Sequence, residues 1–113
     1  MRPLRAERAR RIALVSYRIE WAYEAEDHFR EFAAREQRII IAAVAQKLAH
    51  EPTVRTRHRK PLRPNPVAQW QLRVGDARVY YDVSEQPERV VFVRAVGVKE
   101  RNRVRIGDVE VDL

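Results

Sequence analysis

At 113 residues, 45% of them apolar and 35% charged, the chain has the length and balance of a single globular domain rather than of a disordered tail. It has no cysteine, which excludes disulfides, thiolate metal sites and cysteine nucleophiles. The formal net charge of +7 predicts a positive surface that gathers polyanions, and nucleic acid is the partner class it favours.

Residues 1–15 carry Arg2, Arg5, Arg8, Arg10 and Arg11 against Glu7 alone, and their apolar positions sustain no stripe. They read as a mobile basic N-terminal arm, or equally as a frayed terminus without a task, ahead of a domain over residues 16–113. This arginine-rich start holds no secretory apolar stretch, and the longest apolar run, residues 39–45, is far too short to span a bilayer. No membrane role is expected, and the cytoplasm is the expected compartment.

In residues 16–21, Tyr17, Ile19 and Trp21 alternate with polar neighbours, which predicts a short strand with one apolar face. Ala22, Ala25, Phe29, Phe32 and Ala33 then recur at helical spacing, and residues 37–48 form a second, more apolar helix that Pro52 keeps from continuing far. Residues 51–66 hold four prolines and the basic run Arg55, Arg57, His58, Arg59, Lys60 and Arg63, and read as a positively charged connection without regular structure.

Residues 68–74 and 77–83 are two strands around Gly75 and Asp76, the pair expected of a two-residue hairpin turn whose first position needs φ above zero. A third strand is expected over residues 89–96, where Val90, Val91, Phe92 and Val93 suggest burial. Beyond Gly97 the chain turns basic again, and the end reads as a last hairpin or strand extension around Gly107 and Asp108. The fold class is therefore α+β: a small antiparallel sheet with two N-terminal helices on one face.

Side chains alternate across a strand, so Trp70, Leu72, Val79, Tyr81 and Val83 are assigned to the core. Gln69, Gln71, Arg73, Arg78, Tyr80 and Asp82 then fall on the opposite face, extended by Arg94 from the third strand. Two helices cover one face of such a sheet, leaving this arginine-bearing face to solvent or to a partner. A cationic surface with Tyr80 open for base stacking suits single-stranded RNA.

Trp70-Gln-Leu-Arg-Val-Gly-Asp-Ala-Arg-Val-Tyr-Tyr-Asp-Val83, then Val91-Phe-Val-Arg-Ala-Val-Gly97 and the basic Lys99-Glu-Arg-Asn-Arg103, resembles the RelE/ParE superfamily of toxins from bacterial toxin–antitoxin pairs. The likeness runs from about Tyr17 to the C-terminus and includes the strand–helix–helix–three-strand order. For RelE-like members it implies a ribosome-dependent endoribonuclease that cuts mRNA without a metal ion or other cofactor and is silenced by an acidic antitoxin. On this likeness Arg78 is the phosphate-stabilising arginine, with Lys99 and Arg101 as phosphate contacts or proton donors. Arg73, Tyr80, Arg94, Arg103, Lys60 and His58 are the expected RNA contacts.

The departures from that pattern are specific. Gln69 and Gln71 stand where the best-known RelE-type nucleases carry two lysines, and Arg105 replaces a tyrosine. Glutamine neither transfers a proton nor neutralises phosphate; His58, Lys60 and Arg73 are the residues left to supply that function. These departures keep two alternatives in view: a ParE-like inhibitor of DNA gyrase that cuts nothing, and an inactive toxin-like module that binds RNA. Glu20, Glu24 and His28 share a four-residue spacing but form no recognisable metal set, and a solvated helix edge explains them. Trp21 and Trp70 fall in the apolar phase of their strands and are assigned to the core.

Overall fold

The structure is a computed structural model and describes residues 16–113, so the basic arm expected over residues 1–15 lies outside the described residues. The chain runs β1 (Arg18–Trp21), α1 (Tyr23–Arg30), α2 (Ala34–Leu48), β2 (Arg59–Pro61), β3 (Trp70–Val74), β4 (Ala77–Ser84), β5 (Val90–Glu100), β6 (Arg103–Ile106) and β7 (Val109–Val111). It is an α+β protein in which two helices precede most of a sheet with seven strands among the described residues. That sheet is larger than the small one expected. No described helix is long and apolar enough to cross a membrane.

Strand order is β2-β3-β4-β5-β6-β7, with neighbours antiparallel, while β1 pairs with the first half of β5 in parallel. β5 thus lends one edge first to β1, through Arg18 to Val90, and then to β6, through Gly97 to Ile106. This sharing explains why β5 runs past the glycine expected to end it. A Cβ at Gly97 would sit 2.9 Å from the Arg105 carbonyl oxygen and 2.9 Å from Val104 Cγ1, so the glycine admits β6 rather than stopping β5.

Both glycine–aspartate pairs make tight turns, with Gly75 and Gly107 each at φ 59°. α1 is shorter than its apolar spacing suggested, ending at Arg30, and Gln37 Nε2 donates to the Phe32 carbonyl in the turn before α2. Glu24 and Glu26 in the first turn of α1 and Arg30 in its last suit the helix dipole.

The connection expected to be irregular holds β2. Arg59 and Lys60 pair with Leu72 and Gln71, and Pro61 is tolerated because β2 is an edge strand. The main core lies between the helices and one sheet face: Ala25, Ile40, Val44 and Leu48 meet Leu72, Val79, Tyr81, Val91, Val93 and Val96, with Trp21 and Trp70 packed against them. The Tyr81 hydroxyl reaches this depth with a partner, donating to the Pro52 carbonyl at 2.6 Å.

The opposite face is not the open surface the alternation suggested. Tyr80, Ala68 and Ala95 form a second small core, roofed by Leu62 and Val67 from the connection and by Val104 and Ile106 from β6. The alternation placed Tyr80 correctly with respect to the sheet. What it lacked was the fold-back of residues 62–68, pinned where the Asn65 side chain accepts from the Val67 and Ala68 amides and donates to the Ala68 carbonyl.

Candidate nucleic-acid interface

Beside the second core, toward the Gly75 turn, part of this face stays uncovered. There β2, β3, β4 and the end of β5 line a cleft of about 450 Å³. Register brings its residues together: Lys60 lies opposite Gln71, Arg73 opposite Arg78, and Arg78 opposite Gly97, two residues before Lys99. The Lys99 amide also donates to the Asp76 carbonyl at 2.8 Å, tying β5 to the hairpin turn.

Arg78 is 6% exposed and forms the inner wall. Its Nη1 donates to the carbonyls of Gly75 at 2.8 Å and Ala77 at 3.0 Å, which fixes the guanidinium plane. No carboxylate among the described residues pairs with it. Burial, and after it the charge of Arg73, lowers its pKa from the ordinary arginine value, yet a guanidinium stays protonated at any physiological pH. The charge of Asp76 opposes this lowering in part, but no carboxylate among the described residues bonds to the guanidinium, and a cation so placed in a concave site attracts anions.

The far wall is the 55–60 segment. Thr56 Oγ1 accepts from the His58 amide at 3.2 Å and the Arg59 amide at 3.1 Å, and the Arg73 amide donates to the His58 carbonyl at 2.8 Å. Arg59 Nη1 donates to the Lys47 carbonyl at the end of α2, anchoring the segment to the helix layer. His58 is thereby held facing the cleft, with its pKa lowered by desolvation first and then by Arg73, Lys47 and Arg57.

Five of the nine sequence-predicted site residues therefore converge: His58, Lys60, Arg73, Arg78 and Lys99. Four do not. Tyr80 is 0% exposed, so the stacking platform expected of it is instead core. Arg94 is paired with Asp82 at 2.9 Å and lies over the Phe92 ring, at the bulge where β4 and β5 shift register. Arg103 pairs with Glu110 at 2.7 Å on the C-terminal hairpin. Arg101 sits at the β5–β6 tip with φ 58°, beside the cleft rather than in it.

The two glutamines part company as well. Gln71 lines the cleft, whereas Gln69 Oε1 accepts from the Val83 amide and stitches β3 to β4 away from it. Arg105 also faces elsewhere, bonding to Glu100 and to the Gly107 carbonyl. Arg55, Arg57 and Asn102 also line the cleft. The charge run pointed to the first two; nothing in the local pattern marks Asn102, which arrives through the β5–β6 turn. Matched against protein-family models the chain finds none, and matched against curated proteins it finds no similar sequence.

Proposed function

We propose that the protein is a RelE/ParE-like toxin of a toxin–antitoxin pair, acting in the cytoplasm as a ribosome-dependent, metal-independent mRNA endoribonuclease. The observation that carries this reading is the cleft: Arg73, Arg78, Lys60 and Lys99 line one concavity, and no aspartate or glutamate among the described residues lines it with them. In-line attack of a ribose 2′-hydroxyl on the adjacent phosphate spreads negative charge over a phosphorane-like transition state. Arg78, oriented by two turn carbonyls and carrying no carboxylate partner, suits that charge. The flanking cations suit the phosphates on either side.

An acidic antitoxin segment laid across the same cleft would neutralise it, which is how such a toxin is kept silent in this reading. Brief induced expression in a bacterial host without the antitoxin, followed by mapping of transcript ends, tests it. Translation-dependent cuts inside coding regions are expected. Growth arrest with intact transcripts would overturn the nuclease reading and favour gyrase inhibition; growth without arrest would favour a binding module.

A further inference from the structure

We propose that His58 is the proton acceptor of the cleft, taking the proton of the attacking ribose 2′-hydroxyl. The inference rests on the reading of the cleft as an RNA-cleaving site. It follows from what the cleft holds. Its arginines and lysines are protonated near neutrality, and Thr56, Gln71 and Asn102 have no useful basicity. Among the described residues the imidazole is the one side chain lining the cleft that is both neutral and basic at pH 7.

The surroundings keep it in that state. Arg73 on β3, Lys47 on α2 and neighbouring Arg57 all act to lower its pKa, after the larger effect of desolvation. The cleft's other cations, Arg55, Lys60, Arg78 and Lys99, add the same sign of charge, and no acidic side chain lines it among the described residues. The backbone of His58 is held on both sides, its amide by Thr56 and its carbonyl by the Arg73 amide, so the ring projects from a fixed point.

The step balances without a cofactor. The 2′-oxygen forms a bond to phosphorus and its proton passes to the His58 imidazole. The bond from phosphorus to the 5′-oxygen breaks, and that oxygen takes a proton from the Lys60 or Lys99 ammonium. The products are a 2′,3′-cyclic phosphate and a 5′-hydroxyl, and the imidazolium and the lysine exchange their protons with solvent.

The test uses the full chain and ribosomes programmed with a short synthetic mRNA. His58→Gln is expected to lower the single-turnover cleavage rate by about 100-fold or more, with binding of a 2′-deoxy analogue of that mRNA changed less than about twofold. The wild-type rate should rise with pH through the midpoint at which the His58 ring titrates in the complex, and the variant should lose that rise. On the wild-type chain, the His58 ring resonance should shift its titration midpoint upward when the analogue binds, a readout that needs no variant to fold. No wild-type cleavage at all would overturn the nuclease reading and the proton role with it. Wild-type cleavage with an unchanged variant rate, an unchanged pH profile or an unmoved ring midpoint would overturn the proton role alone.

Discussion

Replacing Tyr80 by phenylalanine should make the protein more stable. The ring is 0% exposed among Ala68, Ala95, Leu62, Val67, Val104 and Ile106, and its hydroxyl is buried without a hydrogen-bond partner among the described residues. A buried hydroxyl left unpaired costs about 1–3 kcal/mol, while the phenylalanine ring keeps the same apolar contacts. A gain of about 1 kcal/mol is expected, or about 4–6 °C in the melting temperature of a domain of this size.

The same burial pushes the Tyr80 pKa up to about 12 from 10.0, with the charge of Arg78 opposing it in part. Between those values the unfolded chain loses this proton and the folded chain keeps it. The native state is therefore fully favoured below pH 10 and gives up on the order of 2–3 kcal/mol as the pH climbs through 12. Tyr81 is raised by burial as well, so the informative quantity is the difference between variant and wild type. Urea denaturation at pH 7.5 and again at pH 11 measures both effects, and the variant's advantage should grow with pH. A loss of more than about 0.5 kcal/mol at neutral pH would mean instead that the hydroxyl has a partner such as a buried water.

Three further substitutions probe the frame of the cleft. Gly97→Ala places a methyl group 2.9 Å from the Arg105 carbonyl oxygen and should cost about 1–3 kcal/mol in chemical denaturation; a neutral result would contradict the close approach of β6. Arg101→Gly relieves a left-handed residue at φ 58° and should stabilise by about 0.5–1 kcal/mol, whereas destabilisation would contradict that backbone conformation. Arg78→Met keeps the buried stem and removes both the donor to two turn carbonyls and the burial cost of the charge, so a stability change within about 1 kcal/mol is expected together with loss of transcript cleavage; a stable variant that still cuts would remove Arg78 from the site.

The hairpins were the most legible part of the fold in the sequence. Gly75-Asp76 and Gly107-Asp108 each supply a residue that tolerates positive φ between alternating runs, and both are turns. β2 was hidden because Pro61 and a dense basic run are read as loop, and only the pairing of Arg59 and Lys60 to β3 makes them strand. Gly97 misled in the other direction. A strand glycine that ends pairing and one that admits a neighbouring backbone look identical in sequence, and the difference lies in β6, several residues away.

The site was half legible for a similar reason. Strand alternation put Arg73 and Arg78 on one face, and the charge run brought in His58 and Lys60. Which part of that face would be roofed depends on the tertiary placement of residues 62–68 and of β6, which periodicity does not encode; Tyr80 was assigned to the right face and the wrong environment. In sequence Arg94 and Arg103 look like cleft arginines; their pairing with Asp82 and Glu110 is set by the neighbouring strands. Such exposed pairs contribute little stability, yet they do remove free charge from the surface.

The RNA grip proposed for the cleft depends on its exposed cations, Arg73 and Lys99 among them. Fluorescence anisotropy of a labelled single-stranded RNA, titrated with the wild-type chain and with an Arg73→Gln, Lys99→Gln double variant over a range of salt concentrations, tests it directly; both side chains are exposed, so the fold should be unaffected. The wild type should bind with an affinity that falls steeply with salt, and the variant should bind more weakly, its log–log salt slope shallower by about 0.7 for each contact removed. Equal affinities and equal slopes for the two chains would place the RNA elsewhere or exclude it, and would contradict the account.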